Sequence, residues 1–306
     1  MIPSNNSISS IVSGQSWELK SKPELYEEFL SDLQSCYVKI INSEISCSFN
    51  IEAPQAIIEE AQLCIPESGL NINFDEVGCC LLKSSECDSG KMQLVFTSKE
   101  KNEQVIFEIE STEDNALKTL SKYLLKSHNH LPERGKVNDC RRTLCPCCKE
   151  KRENTRSDIS SHPLYHIISF ACFVDQPIWL TFNREMVSLT KAFSPSKECH
   201  PEGIISFKGK DSVVALDIGE IFHSIAHGSS FEGEDSTVVQ CYNSHGKPLL
   251  TLIQQNTELY DVWGLITEKE YEKRLNVSLT LFERWDLHSH NTELKFKKLI
   301  ICPRQE

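Results

Sequence analysis

The chain has 306 residues, 39% of them hydrophobic and 25% charged, and a net charge of −12. That length suits two domains, each able to bury its own core. The composition excludes a disordered chain, a collagen-like chain and a transmembrane bundle, and the acidity argues against a protein that coats nucleic acid or membrane along its whole length. One count is out of proportion: 14 cysteines.

Residues 1–16 are polar, contain six serines, and lack the basic start and apolar centre of a secretory signal. They are expected to be flexible, and the protein cytoplasmic. In a reducing compartment the cysteines are expected as thiols. Residues 23–33 (PELYEEFLSDL) predict a short amphipathic helix opened by proline in its first turn. Alternation at Val38-Lys39-Ile40 and Gln93-Leu94-Val95-Phe96 predicts strands. Cys36, Cys47, Cys79 and Cys80 fall in apolar strings, where cysteine behaves as a small hydrophobe. Residues 115–126 are expected as a closing helix, so that residues 17–130 form a first α+β unit.

Residues 133–156 (ERGKVNDCRRTLCPCCKEKRENTR) differ from their surroundings. They carry eight Lys/Arg and four Asp/Glu, a net +4, which leaves −16 for the rest of the chain (−12 minus +4). Without apolar periodicity, and near the middle of the chain, residues 131–157 read as a basic linker rather than a core element. Cys140, Cys145, Cys147 and Cys148 gather here, with His128 and His130 just upstream. Thiolates and imidazoles of this kind suit zinc, which takes four such ligands. A reduced cysteine-rich connector and a redox-sensing thiol pair beside Arg141, Arg142 and Lys149 stay open as alternatives. The stretch has no interleaved aromatic residue for base stacking, which argues against nucleic acid as a partner.

Residues 163–172 (PLYHIISFAC) predict a second proline-led helix, and the apolar run 167–174 is far short of the about 20 residues that span a bilayer. Ser244-His245-Gly246-Lys247 predicts a hairpin turn, and residues 259–266 a closing helix. The two halves align. Asn42 matches Asn183 and Glu44 matches Glu185 at a shift of 141, Asp75 matches Asp217 at 142, and Phe96 matches Tyr242 at 146. Connections too short for crossover helices predict mostly antiparallel sheets. The expected fold is α+β: a tandem duplication of a unit with a mostly antiparallel sheet flanked by helices, the second unit occupying residues 158–306.

The order of these segments resembles the HemS/ChuS-type hemin-degrading and heme-trafficking proteins over roughly residues 160–266, with a weaker echo at 20–125. The resemblance rests on Phe182-Asn183-Arg184-Glu185-Met186-Val187, on Ala215-Leu216-Asp217-Ile218-Gly219, where the family has arginine at the last position, and on Cys241-Tyr242-Asn243-Ser244-His245-Gly246-Lys247. It implies a cytoplasmic heme-binding protein that traffics or degrades heme. By the same resemblance His166 or His162 would ligate the iron, Arg184 would neutralise the propionates and Tyr242 would line the pocket. The alternative is a non-enzymatic interaction or regulatory scaffold on the same duplicated fold, in which the cysteine cluster binds zinc or senses redox state; a protein partner would then be expected. His223 and His227 have helical metal spacing but fall in strand-like sequence, and Cys199-His200 falls in a loop rich in proline. His288 and His290 are expected in a polar strand or loop. No phosphate-binding glycine loop and no serine-nucleophile elbow occurs.

Overall fold

The computed structural model describes residues 16–42, 44–85, 90–110, 114–128, 144–174, 176–194, 196–200, 203–209 and 212–255. The first half contains β1 (Ser16–Leu19), α1 (Pro23–Ser31), β2 (Ser35–Asn42), β3 (Ile45–Glu52), β4 (Ile57–Glu59), β5 (Gln62–Ile65), β6 (Leu70–Asn73), β7 (Val77–Ser84), β8 (Lys91–Ser98), β9 (Glu103–Glu110), α2 (Asp114–Ser121) and β10 (Leu124–His128). The second contains α3 (Pro146–Ser157), α4 (Pro163–Val174), β11 (Ile178–Asn183), β12 (Val187–Phe193), β13 (Ser196–His200), β14 (Ile204–Gly209), β15 (Ser212–Asp217), β16 (His223–Phe231), β17 (Glu234–Tyr242) and β18 (Pro248–Gln255).

The order α1-β2-β3-β4-β5-β6-β7-β8-β9 returns as α4-β11-β12-β13-β14-β15-β16-β17-β18, and the pairings are antiparallel. The expected duplicated α+β fold is therefore the observed one. A 3-10 turn sits at the same place in each copy, at Phe74–Glu76 and at Ile218–Glu220. Asn73 caps the first by accepting from the Asp75 N–H at 3.1 Å, and Asp217 caps the second by accepting from the Gly219 N–H at 3.0 Å. The counterpart of Asp217 is thus Asn73, at a shift of 144, and the sequence match of Asp75 to Asp217 is corrected by two residues. Asn and Asp exchange freely in such a cap, so identity misplaced the register.

Two compact units are built from the two copies. Unit 1 takes residues 1–142, 182–191 and 208–216, and unit 2 takes residues 143–181, 192–207 and 217–306. In unit 1 the strand order is β10-β1-β7-β8-β9-β2-β3-β15, and a second run has the order β12-β6-β5-β4. The alternating burial of β2 and β3 puts every second side chain into the core. Helix α1 buries Leu25, Tyr26, Phe29 and Leu30. Its Tyr26 ring meets Phe96 edge-on at 4.9 Å, and Phe96 meets Phe74 at 5.5 Å and Phe107 at 5.8 Å. The two copies interlock here. Strand β15 pairs with β3, Leu216 opposite Ile45 and Ser212 opposite Phe49, while β12 pairs with β6, Val187 opposite Ile72 and Leu189 opposite Leu70. Because β6 corresponds to β15 and β3 to β12, the exchange is reciprocal.

Unit 2 contains the antiparallel order β16-β17-β18-β11, with β13 beside β14. The turn between β17 and β18 falls at residues 243–247 as expected, with Asn243 Oδ1 accepting from the His245 and Lys247 N–H groups at 2.9 and 3.0 Å. Two local expectations are corrected. The first closing helix stops at Ser121, and residues 124–128 form β10 instead, paired with β1. The stretch around Cys199-His200 is strand β13 rather than loop. The basic segment is helical over Pro146–Ser157, although that helix buries none of its residues. Residues 259–266, His288 and His290 lie outside the described residues. No helix among the described residues is long and apolar enough to cross a membrane.

Candidate functional site

Helix α4 is the element on which the two candidate histidines sit, and it treats them differently. His162 precedes Pro163, so it stands at the N-cap. Its Nδ1 accepts from the Leu164 N–H at 3.1 Å, and its Nε2 donates to the Ile221 carbonyl at 3.1 Å. The ring is 7% exposed and both nitrogens are engaged, as capping requires. His166, one turn on, is exposed. Its Nε2 donates to the Ser160 carbonyl at 2.8 Å and its ring meets Tyr165 edge-on at 5.4 Å, while Nδ1 makes no hydrogen bond among the described residues. Phe170 and Phe173 follow at four and seven residues from His166, on the same helical stripe. Phe173 is 86% exposed and Phe170 half-buried, whereas Leu164, Ile167, Ile168 and Ala171 form the buried face. The outward stripe thus carries an imidazole followed by two aromatic rings.

The start of α4 and the length of α3 dock on one short segment of unit 2. Arg156 of α3 donates from Nε to Asp217 Oδ1 at 3.1 Å and from Nη2 to Asp217 Oδ2, and reaches Glu220 Oε1 at 3.3 Å. Arg152 reaches the same Glu220 oxygen at 3.4 Å. Lys151 donates to the Phe222 carbonyl at 2.8 Å and lies 5.5 Å above the Phe222 ring. The bonds to Asp217 hold Arg156 above the usual guanidinium range. Glycine at 219 leaves the room these side chains occupy, since a β-carbon there would stand 2.8 Å from Arg156 Cγ and 3.0 Å from Arg152 Cγ. The space beside Gly219 is therefore filled by α3. Sequence reasoning passed over this clamp, although Arg152 and Arg156 show the i, i+4 spacing of a single helical face.

Tyr242, at the end of β17, donates to Gln240 Oε1 at 2.7 Å, and burial raises its phenol above the usual range, helped by Cys241. Arg184 belongs to unit 1. Its Nη2 lies 3.4 Å from Glu44 Oε2, and its buried Nε has no hydrogen-bond partner among the described residues. Beside it Glu103, 5% exposed, accepts from the Met186 N–H at 3.2 Å. Burial pushes the Glu103 carboxyl up to about 7, against the pull of the Met186 N–H and Arg184, with Glu185 and Glu44 adding repulsion.

The Glu103 environment sets a pH dependence. Between the ordinary value of 4.5 and about 7 the folded chain holds a proton that the unfolded chain has released. The contribution of Glu103 is therefore fullest below 4.5 and is lost as pH rises through 7. Glu103→Gln keeps an acceptor for Met186 and removes the charge. It is expected to stabilise the protein at pH 8 by on the order of 1–3 kcal/mol and to have little effect at pH 4.5. Urea midpoints of both proteins across that range check this.

The cysteines form two populations. Cys36, Cys47, Cys80 and Cys241 are buried, and burial pushes each thiol up to about 12. Cys145, Cys147 and Cys148, at the N-terminus of α3, have their sulfurs all within 4.8 Å of one another. None of the cysteines recorded among the described residues is in a disulfide, and Cys140 lies outside those residues.

No protein-family model and no curated protein sequence matches this chain. Solved structures do. The heme degrading enzyme ChuS of Escherichia coli O157:H7 is similar with a TM-score of 0.61 at 11% identity, over 84% of this chain and 88% of that one. Apo-PhuS, a heme-binding protein from Pseudomonas aeruginosa, is similar with a TM-score of 0.61 at 10% identity, over 86% and 89%. The fold that the HemS/ChuS resemblance implied is thus the fold of this chain.

Proposed function

We propose that this chain is a cytoplasmic heme-binding protein that traffics or degrades heme for iron use, with His166 as the axial ligand. The observation that carries this is the outward stripe of α4. Heme needs a neutral imidazole set among apolar side chains, and His166, Phe170 and Phe173 supply that combination on one helix face. His162 serves instead as the cap that fixes where α4 begins, through Leu164 and Ile221. Similarity to ChuS and PhuS supports the same reading. When bound, heme supplies the iron and its redox chemistry, while the chain supplies the ligand and the apolar surface.

Titration with hemin tests this. A Soret band distinct from that of free hemin is expected, with His166→Ala weakening binding by at least about tenfold, or about 1.4 kcal/mol. His162→Ala is expected to keep the band but to lower stability by about 0.5–2 kcal/mol through loss of the cap. A wild-type spectrum identical to free hemin, or a His166→Ala protein that binds unchanged, would overturn the assignment.

A second reading keeps the duplicated fold as a non-enzymatic scaffold in which the surface cysteines bind zinc or sense redox state. What supports it is the convergence of three sulfurs at the start of α3.

A further inference from the structure

We propose that Cys145, Cys147 and Cys148 are a three-sulfur site for one thiophilic d10 metal ion, with monovalent copper and zinc as the ions of that chemistry. This rests on the second reading above and is independent of heme. The ligands are set by α3. Pro146 opens the helix, Cys147 and Cys148 follow in its first turn, and Cys145 stands at the N-cap. The three sulfurs lie within 4.8 Å of one another, and those of Cys145 and Cys147 are 2.9 Å apart. A metal–sulfur bond is about 2.3 Å, so two sulfurs on one ion are at most about 4.6 Å apart. In a trigonal or tetrahedral set they stand about 3.8–4.0 Å apart, so the Cys145–Cys147 pair opens by about 1 Å to admit the ion, a movement open to side chains that are exposed or half-buried.

The charge also fits. Each thiol gives up a proton as it binds, and three thiolates around a monovalent or divalent cation leave a net negative centre. It would form at the positive end of the helix dipole, with Lys149 next in sequence. Soft sulfur ligands select against magnesium and calcium. The far half of α3 is fixed by the Arg152, Arg156 and Lys151 contacts, so the ligands stand on an anchored helix. Cys36, Cys47, Cys80 and Cys241 are buried in the core instead, where burial pushes each thiol up to about 12, away from the thiolate that a metal takes.

The test uses the reduced full-length chain, without oxygen or hemin, titrated separately with monovalent copper and with zinc against a chromophoric chelator. One equivalent of at least one ion is expected to bind, and comparison of the two arms identifies it. Each single Cys→Ser change among the three is expected to weaken binding by at least about tenfold. Circular dichroism checks that the variants fold, which the absence of buried residues in α3 favours. A Cys145→Ser/Cys147→Ser/Cys148→Ser protein that binds as tightly as the parent overturns the proposal, as does a reduced parent that binds neither ion. In the latter case, a Cys145–Cys147 disulfide formed by mild oxidant would leave the redox form of the second reading standing without the metal site.

Discussion

Phe96→Ala is expected to lower the unfolding free energy by about 3–5 kcal/mol, a large part of the about 5–15 kcal/mol available to a folded domain. The ring is fully buried on β8 and touches aromatic rings on three sides: Tyr26 from α1, Phe74 from the 3-10 turn and Phe107 from β9. Truncation removes the transfer free energy of the ring and leaves a cavity that three rigid neighbours cannot collapse into. Phe96→Leu, which retains most of the volume, is expected to cost less. Urea denaturation of the three proteins at one pH measures both steps, and an alanine cost under about 1 kcal/mol would mean that this cluster does not organise the unit 1 core.

Gly69→Ala is the second large effect, at roughly 3–5 kcal/mol. Gly69 has φ of +65°, the left-handed region, and lies just before β6. Its carbonyl accepts from the Thr190 N–H at 3.0 Å, so its backbone presses directly on β12. A β-carbon would overlap the Thr190 carbonyl oxygen and come within 3.0 Å of its carbon. Backbone cannot move aside as a flexible side chain would, so the β6–β12 ladder must shift. Gly233 provides the comparison. It too has a positive φ, +85°, but open space around the missing β-carbon, so Gly233→Ala is expected to cost only about 1–2 kcal/mol. Thermal melting of the two variants separates the conformational cost from the collision.

Elements with strong local signals were legible in the sequence. Pro23 and Pro163 mark the starts of α1 and α4, and the turn at residues 243–247 follows from Asn243 and Gly246. The duplication was legible from segment order, which survives after identities have drifted. What failed depended on partners distant in sequence. Residues 124–128 lie in a stretch with helical spacing, yet they become strand because β1 offers an open edge more than 100 residues upstream. The histidine pair was legible as a spacing but not as two roles. Only the fold brings the Ile221 carbonyl to His162 and leaves the next turn exposed. Phe170 and Phe173 were within reach of the same spacing argument that linked His162 to His166.

The reciprocal pairing of β3 with β15 and of β6 with β12 has a kinetic consequence. The free edge of β3 is complete at Glu52, but its partner begins at Ser212, 160 residues later (212 − 52). At about 5–20 residues per second of synthesis, that edge waits roughly 8–32 s before its neighbour exists. Strand β6 waits in the same way for Val187. During this interval the nascent chain carries two strips of unsatisfied backbone, each a template for strands of other chains. The period of greatest aggregation risk therefore falls on the ribosome, before the second copy has emerged, and a chain arrested at its midpoint would retain both strips.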